Sequence, residues 1–275
     1  MDVRDEPVRF VSQPEPSAEY ADLKRWGLFD GIIFGPVRSR RFGRSLGVNP
    51  LPPNLKVCSF DCPYCECGRT ELSMTEILAL RFPDVELIKT LLEGILAMLA
   101  AEPPDTLTLT GNGEPTLHPR FGEVMKVVFA SRARLAPGAR IAVLTNGCFV
   151  SRPDVTEGLD LADVVMMKLD AGTPETLNQM NAPLVSWTPE RVEEAAGLLG
   201  DVVIQSLFLE GAVSNTSDEE IAVWLERVAR IKPKSVILYT LDRVPPAPGL
   251  RPVSPETLEA IGRKIEEKGI TWEKA

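Results

Sequence analysis

The chain has 275 residues, 44% of them hydrophobic and 25% charged, with a formal net charge of −9. That balance suits a globular protein with a full core, and the length fits one large domain or two small ones. An acidic chain is a poor non-specific binder of nucleic acid or anionic membrane, and no run approaches the ~18 apolar residues of a membrane span.

The opening MDVRDEPVRF is charged and lacks the apolar stretch of a secretory leader, so a cytoplasmic protein is expected. In a reducing compartment, clustered cysteines point to metal or redox chemistry more than to disulfides. Residues 1–28 are irregular and rich in Pro and Glu, which suggests an arm ahead of a domain spanning 29–275. The next stretch, GPVRSRRFGRSLGVNPLPP, carries Arg38, Arg40, Arg41 and Arg44 with no lysine among them. It reads either as a solvated or internally paired loop or as a phosphate-binding set, since guanidinium forks suit phosphate.

A first strand is expected near NLKV, leading into Cys58. A helix follows over 84–99, with Leu87, Ile88, Leu91, Leu92, Ile95 and Leu99 at 3-4 spacing. DTLTLT (105–110) reads as a strand, FGEVMKVVFASRA (121–133) as a helix, and RIAVLT (140–145) as a strand. DVVMMKL (163–169), DVVIQSLFL (201–209) and SVILYTL (235–241) continue the strand series. Thr188-Pro189 and Ser254-Pro255 each pair an N-cap with Pro at the first helical position. Ser217 and Glu220 form the pattern of a capping box.

The order β-(αβ)5-α implies a parallel sheet with right-handed crossovers, either an open doubly wound sheet or a partial barrel. In a barrel, chemistry sits at the C-terminal strand ends. GNGEPT, TNG, KLD and LDR all fall there.

Three of five cysteines lie within CSFDCPYC, at Cys58, Cys62 and Cys65. Thiolates suit iron–sulfur clusters, zinc or copper(I). A structural zinc site needs four ligands, and Cys67 offers a fourth, but the spacing departs from paired C-x2-C and the lone His118 is distant. Three cysteines on one loop can hold three irons of a [4Fe–4S] cube and leave the fourth open.

C-x3-C-x-Φ-C, with Tyr64 as the aromatic residue, resembles the signature of the radical S-adenosylmethionine (radical SAM) enzymes. The resemblance implies a partial (β/α)6 TIM-like barrel, a [4Fe–4S] cluster on Cys58, Cys62 and Cys65, and SAM on the unique iron. Reductive cleavage of SAM then yields a 5′-deoxyadenosyl radical that abstracts hydrogen from substrate. GNGEPT resembles the family's Gly-Gly-Glu segment, with Asn112 in place of its first Gly. The match implies that Gly113 and Glu114 contact the SAM amino group. Asn146 of TNG, Lys168, Asp170 and Gln205 match where the family binds the SAM carboxylate and ribose, and Tyr64 and Tyr239 where it contacts adenine. An external one-electron reductant, flavodoxin or ferredoxin, is implied.

GPVRSRRFGRSLGVNPLPP, CPYCECGRT, TGNGEPTLHPRF and LYTLDRVPPAPGL further resemble the subfamily related to wybutosine synthesis, which modifies a tRNA base. Against that substrate stand the acidic charge and the lack of any cysteine before Cys58. A small molecule or a peptide remains as substrate class, as does activation of a glycyl-radical partner. A non-catalytic zinc module is the contrasting reading. Cys67 and Cys148 read first as packing thiols, His118 as local structure, and Lys168–Asp170 as either an ordinary ion pair or a functional one.

Overall fold

The sheet begins earlier than NLKV. In the computed structural model, which describes residues 27–275, a hairpin of β1 (Ile33–Ser39) and β2 (Gly43–Val48) comes first. The expected arm, 1–28, lies almost wholly outside the described residues. β2 pairs in parallel with β3 (Thr106–Leu109) and is the first barrel strand. NLKV cannot extend after Pro50, Pro52 and Pro53, with Asn54 at φ +60°. It contributes only a single bridge, Val57 to Gly113. The short alternating run in GRSLGV was hidden by the arginines around it.

From β2 the chain runs through α1 (Met74–Leu78) and α2 (Val85–Met98) to β3, then α3 (Phe121–Leu135), β4 (Arg140–Thr145) and α4 (Pro153–Leu159). Next come β5 (Val164–Lys168), α5 (Pro174–Asn181), α6 (Pro189–Leu199) and β6 (Val203–Leu207). The chain closes with β7 (Leu209–Gly211), α7 (Asp218–Ile231), β8 (Ser235–Tyr239), β9 (Leu250–Pro252), α8 (Pro255–Glu266) and β10 (Trp272–Lys274). The main sheet has the order β1-β2-β3-β4-β5-β6-β8-β10, and β7 pairs with β9 in a separate ribbon. Strands β2, β3, β4, β5, β6 and β8 are neighbours in chain order and all parallel. A doubly wound sheet would reverse direction at a switch point. This one does not, so the fold is a partial (β/α)6 barrel.

Alternation along the strands separates two environments. Leu107, Leu109, Ile141, Val143, Val165, Met167, Ile204, Val236 and Leu238 share one core with Ile88, Leu92, Phe121, Val124 and Trp224 of the helices. The opposite parity points inward. Near the strand starts it is apolar, with Phe42, Ala142, Met166, Val203 and Ile237 in one cluster. Two and four residues on, the same parity gives Asn146, Lys168, Asp170, Gln205 and Tyr239. The interior therefore turns polar toward the C-terminal strand ends.

Some faces differ from expectation. α2 buries Val85, Ile88, Leu92 and Leu96, while Leu87 and Leu91 are exposed. Phe129 of α3 is also exposed. Ser217 caps α7 through Glu220 N. The Glu220 carboxylate does not reach back. It accepts from Gly172 N and, at 2.7 and 2.8 Å, from the Thr173 and Thr176 hydroxyls, bracing the loop into α5. Ser254 caps α8 as expected, accepting from Thr257 N.

Candidate active site at the strand ends

The cysteine loop follows β2 and is tied to the turn after β3. Val57 N donates to the Asn112 carbonyl at 2.7 Å, and Glu114 N donates to the Val57 carbonyl at 3.0 Å. Gly113 makes this approach possible. It has φ +142°, and a Cβ there would stand 1.9 Å from the Val57 oxygen.

All five thiols are free. Cys58 Sγ accepts from Phe60 N at 3.4 Å and faces Asn146 Nδ2 at 4.0 Å. Cys62 Sγ accepts from Asn181 Nδ2 at 3.5 Å. Cys67 Sγ donates to the Gly111 carbonyl at 3.4 Å. Burial pushes the Cys58 and Cys62 thiols up. Cys65 is held well below the ordinary thiol range, first by the adjacent Cys67 thiol and, against burial, by Lys56. Lys56 itself is buried, and its Nζ donates to the Gly68 carbonyl at 2.6 Å. Backbone and side-chain N–H donors around the sulfurs, with a buried ammonium beside them, make a set that fits an anionic iron–sulfur centre.

Glu114 is fully enclosed. Oε1 accepts from Thr116 N at 3.1 Å, Thr116 Oγ1 at 2.5 Å and Thr145 Oγ1 at 2.8 Å, while Oε2 accepts from Asn146 N at 2.7 Å. Burial raises its pKa, and these donors oppose the rise. The carboxylate thus fastens the GNGEPT turn to TNG. Asn146 is in turn set between Cys58 and Ser59, whose Oγ lies 2.8 Å from Asn146 Nδ2. The Asn112 side chain turns away from this group and accepts from and donates to the backbone of Phe29, at 2.7 and 2.8 Å.

Lys168 and Asp170 meet in a second group. Lys168 Nζ stands 3.1 Å from Asp170 Oδ2, 3.2 Å from Tyr64 OH and 3.1 Å from Tyr239 OH. Tyr64 OH donates to Asp170 Oδ2, which also accepts from Asn181 Nδ2 at 2.7 Å. Asp170 Oδ1 accepts from Leu207 N at 2.9 Å. Burial works against the Lys168 charge, but Asp170, Tyr239 and Cys62 together more than offset it, so the ammonium stays protonated. Asn181 donates to both Asp170 and Cys62, and so joins the ion pair to the cysteine loop. Gln205 accepts from Arg41 Nη1 at 3.1 Å, and the Arg41 guanidinium lies 5.6 Å from the Tyr239 ring centre.

The four arginines do not form one patch. Arg41 enters the barrel. Arg40 pairs with Asp242 at 3.4 Å, and Arg44 with Glu102 at 3.6 Å, while Arg38 is exposed on β1. Arg38 and Arg44 are register partners across the hairpin, whereas Arg40 and Arg41 lie in the turn between its strands. His118 is buried, with Nε2 3.0 Å from the Pro83 carbonyl and Nδ1 accepting from Arg120 N, so it braces α3. Cys148 lies beside Ser59, where burial raises its thiol. A cavity of about 480 Å³ opens at the opposite end of the strands, lined by Arg140, Asp163, Lys234 and Glu273, remote from the cysteines.

Lys56, Asn181 and Arg41's inward course escaped the sequence reading. Only Lys56 left a trace, as a lone apolar-flanked lysine two residues before the first cysteine. The loop 242–249 also reaches the site, since Ala247 N donates to the Pro63 carbonyl and Arg243 pairs with Glu66 at 2.9 Å.

The profile "Radical SAM superfamily" matches residues 55–228. A "UPF0026 protein" from Helicobacter pylori is 32% identical over 77% of this chain and 67% of its own length. One from Synechocystis is 29% identical over 86% of this chain and 80% of its own. The structure of Streptococcus suis SuiB bound to S-adenosylmethionine shares the fold at a TM-score of 0.59 and 12% identity, covering 80% of this chain and 48% of that one. Among the described residues no helix is long and apolar enough to cross a membrane. Superfamily members bind a [4Fe–4S] cluster and SAM, and on the profile match this chain belongs to the radical SAM superfamily.

Proposed function

We propose that residues 29–275 form one barrel domain that holds a [4Fe–4S] cluster through Cys58, Cys62 and Cys65 and carries out radical chemistry on a substrate yet to be identified. When bound, the cluster and SAM supply an electron and a 5′-deoxyadenosyl radical for hydrogen abstraction. The observation that carries this reading is the convergence of two separate polar groups on the cysteine loop at the strand ends. Asn146 reaches Cys58 from the Glu114 group, and Asn181 reaches Cys62 from the Lys168–Asp170 group.

The chain's own residues divide the work. Glu114 holds the turn of Gly113, whose backbone serves the SAM ammonium, against Asn146, which serves the SAM carboxylate and ribose. Lys168 and Gln205 offer donors to the SAM carboxylate and ribose, and Asp170 keeps Lys168 charged and in place. Tyr64 and Tyr239 provide the flat surfaces that an adenine needs. Arg41 lends positive charge to the substrate side of the interior. An external reductant of the flavodoxin or ferredoxin kind delivers electrons, in the cytoplasm.

The test is anaerobic. The protein is reconstituted with iron and sulfide, and dithionite and SAM are added. 5′-Deoxyadenosine is then followed by mass spectrometry, with Cys62→Ala as control. We expect product from the native chain and none from the variant. Zinc bound without iron or sulfide would overturn the reading in favour of a structural metal loop.

A further inference from the structure

Lys56 sits two positions before Cys58, with its side chain 3% exposed. A buried ammonium is costly without partners. Its Nζ donates to the Gly68 carbonyl at 2.6 Å and stands 3.9 Å from Asp61 Oδ1. Gly68 N donates to the Cys65 carbonyl at 2.9 Å, and Cys65 N to the Cys62 carbonyl at 3.1 Å. One cation thus ties the segment entering the cysteine loop to the one leaving it.

Its counter-charge is shared. Asp61 also accepts from Thr70 N at 2.7 Å and from Arg69 Nε at 2.9 Å.

We propose that Lys56 is a positioning residue that sets the reduction potential of the iron–sulfur centre, by holding one buried positive charge against its thiolate ligands. The inference rests on the reading that Cys58, Cys62 and Cys65 hold the cluster. One-electron reduction adds negative charge to the centre. A fixed cation beside it favours the reduced form and moves the potential upward, since net charge and hydrogen bonds to sulfur are among its determinants. Asp61 carries the opposite sign and acts in the opposite sense.

The experiment is a redox titration of the reconstituted holoprotein, followed by the paramagnetic signal of the reduced cluster. Native protein is compared with Lys56→Met, Lys56→Arg and Asp61→Asn. Iron and sulfide content is measured on each. Lys56→Met is expected to shift the midpoint to more negative values and Asp61→Asn to more positive ones, with Lys56→Arg close to native. A purely mechanical clasp would move both neutral variants the same way or neither. If Lys56→Met takes up no cluster, Asp61→Asn decides alone, and an unmoved or lowered midpoint overturns the proposal. Failure of the native chain to assemble any cluster would instead refute the proposed function.

Discussion

Asp170 is the side chain on which the candidate site turns. Its two oxygens accept from Leu207 N, Lys168, Asn181 and Tyr64, and it is fully buried. Asp170→Asn would leave the Lys168 ammonium in the barrel without its counter-charge. A buried pair broken from one side costs about 3–5 kcal/mol. We expect a loss of that order in the unfolding free energy obtained by denaturant titration, largely recovered when Lys168→Met is added. Equal midpoints for native and Asp170→Asn would mean that the pair is solvated and carries no such constraint. The pair was visible in KLD, because residues two apart on a strand share a face. Its partner Asn181 was not, because it meets Cys62 across 119 positions and no local pattern encodes that distance. Glu114 was singled out for a ligand role. Its four protein donors add a second one, as the fastener between the ends of β3 and β4.

Among the elements, the long apolar runs were the legible ones. β4 falls where RIAVLT predicts it, and β3, β5, β6 and β8 lie inside their expected spans. β2 was missed because its alternation covers only a few residues and is flanked by arginines and glycines. The outward leucines of α2 misled because 3-4 spacing fits more than one stripe when a helix carries apolar residues on several faces. The element most exposed to a single change is the Val57–Gly113 bridge, which docks the cysteine loop at its entry while Phe60–Pro183 docks it further on. Gly113→Ala places a carbon 1.9 Å from the Val57 oxygen, at a φ that L-residues avoid. The Val57 end of the loop must then shift away from the turn after β3. We expect Gly113→Ala to retain less than about half of the native iron and sulfide after reconstitution, with helical circular dichroism little changed, since backbone strain of this kind acts locally. Native metal content in Gly113→Ala would show that the bridge does not govern the loop.

On the scale of the molecule, alternation of strands and helices was readable, but the choice between an open sheet and a barrel was not. It depends on strand order, which is a property of long-range pairing. Charge is also a whole-molecule property. With a net charge of −9, and with Arg40, Arg44 and Arg41 drawn to Asp242, Glu102 and Gln205 in turn, no broad basic face is built from the four arginines. A tRNA-sized polyanion would release counterions only from a basic footprint. We therefore expect tRNA binding by the native protein to be weak and to show no steep fall with salt. A log–log slope near −4, lost when Arg38, Arg40, Arg41 and Arg44 become Gln, would overturn that expectation and favour a tRNA substrate.

The distance from Cys62 to Asn181 also sets a timetable. On a ribosome adding roughly 5–20 residues per second, Asn181 emerges about 6–24 s after Cys62. Asn146, which faces Cys58, also follows the loop. Through that interval the thiols hang on a nascent chain with no wall behind them. The pocket that shelters them is complete only after the strands beyond have paired. On the proposed function, metal loading belongs to the end of the protein's assembly, and the newborn loop is the moment at which oxidants find it undefended.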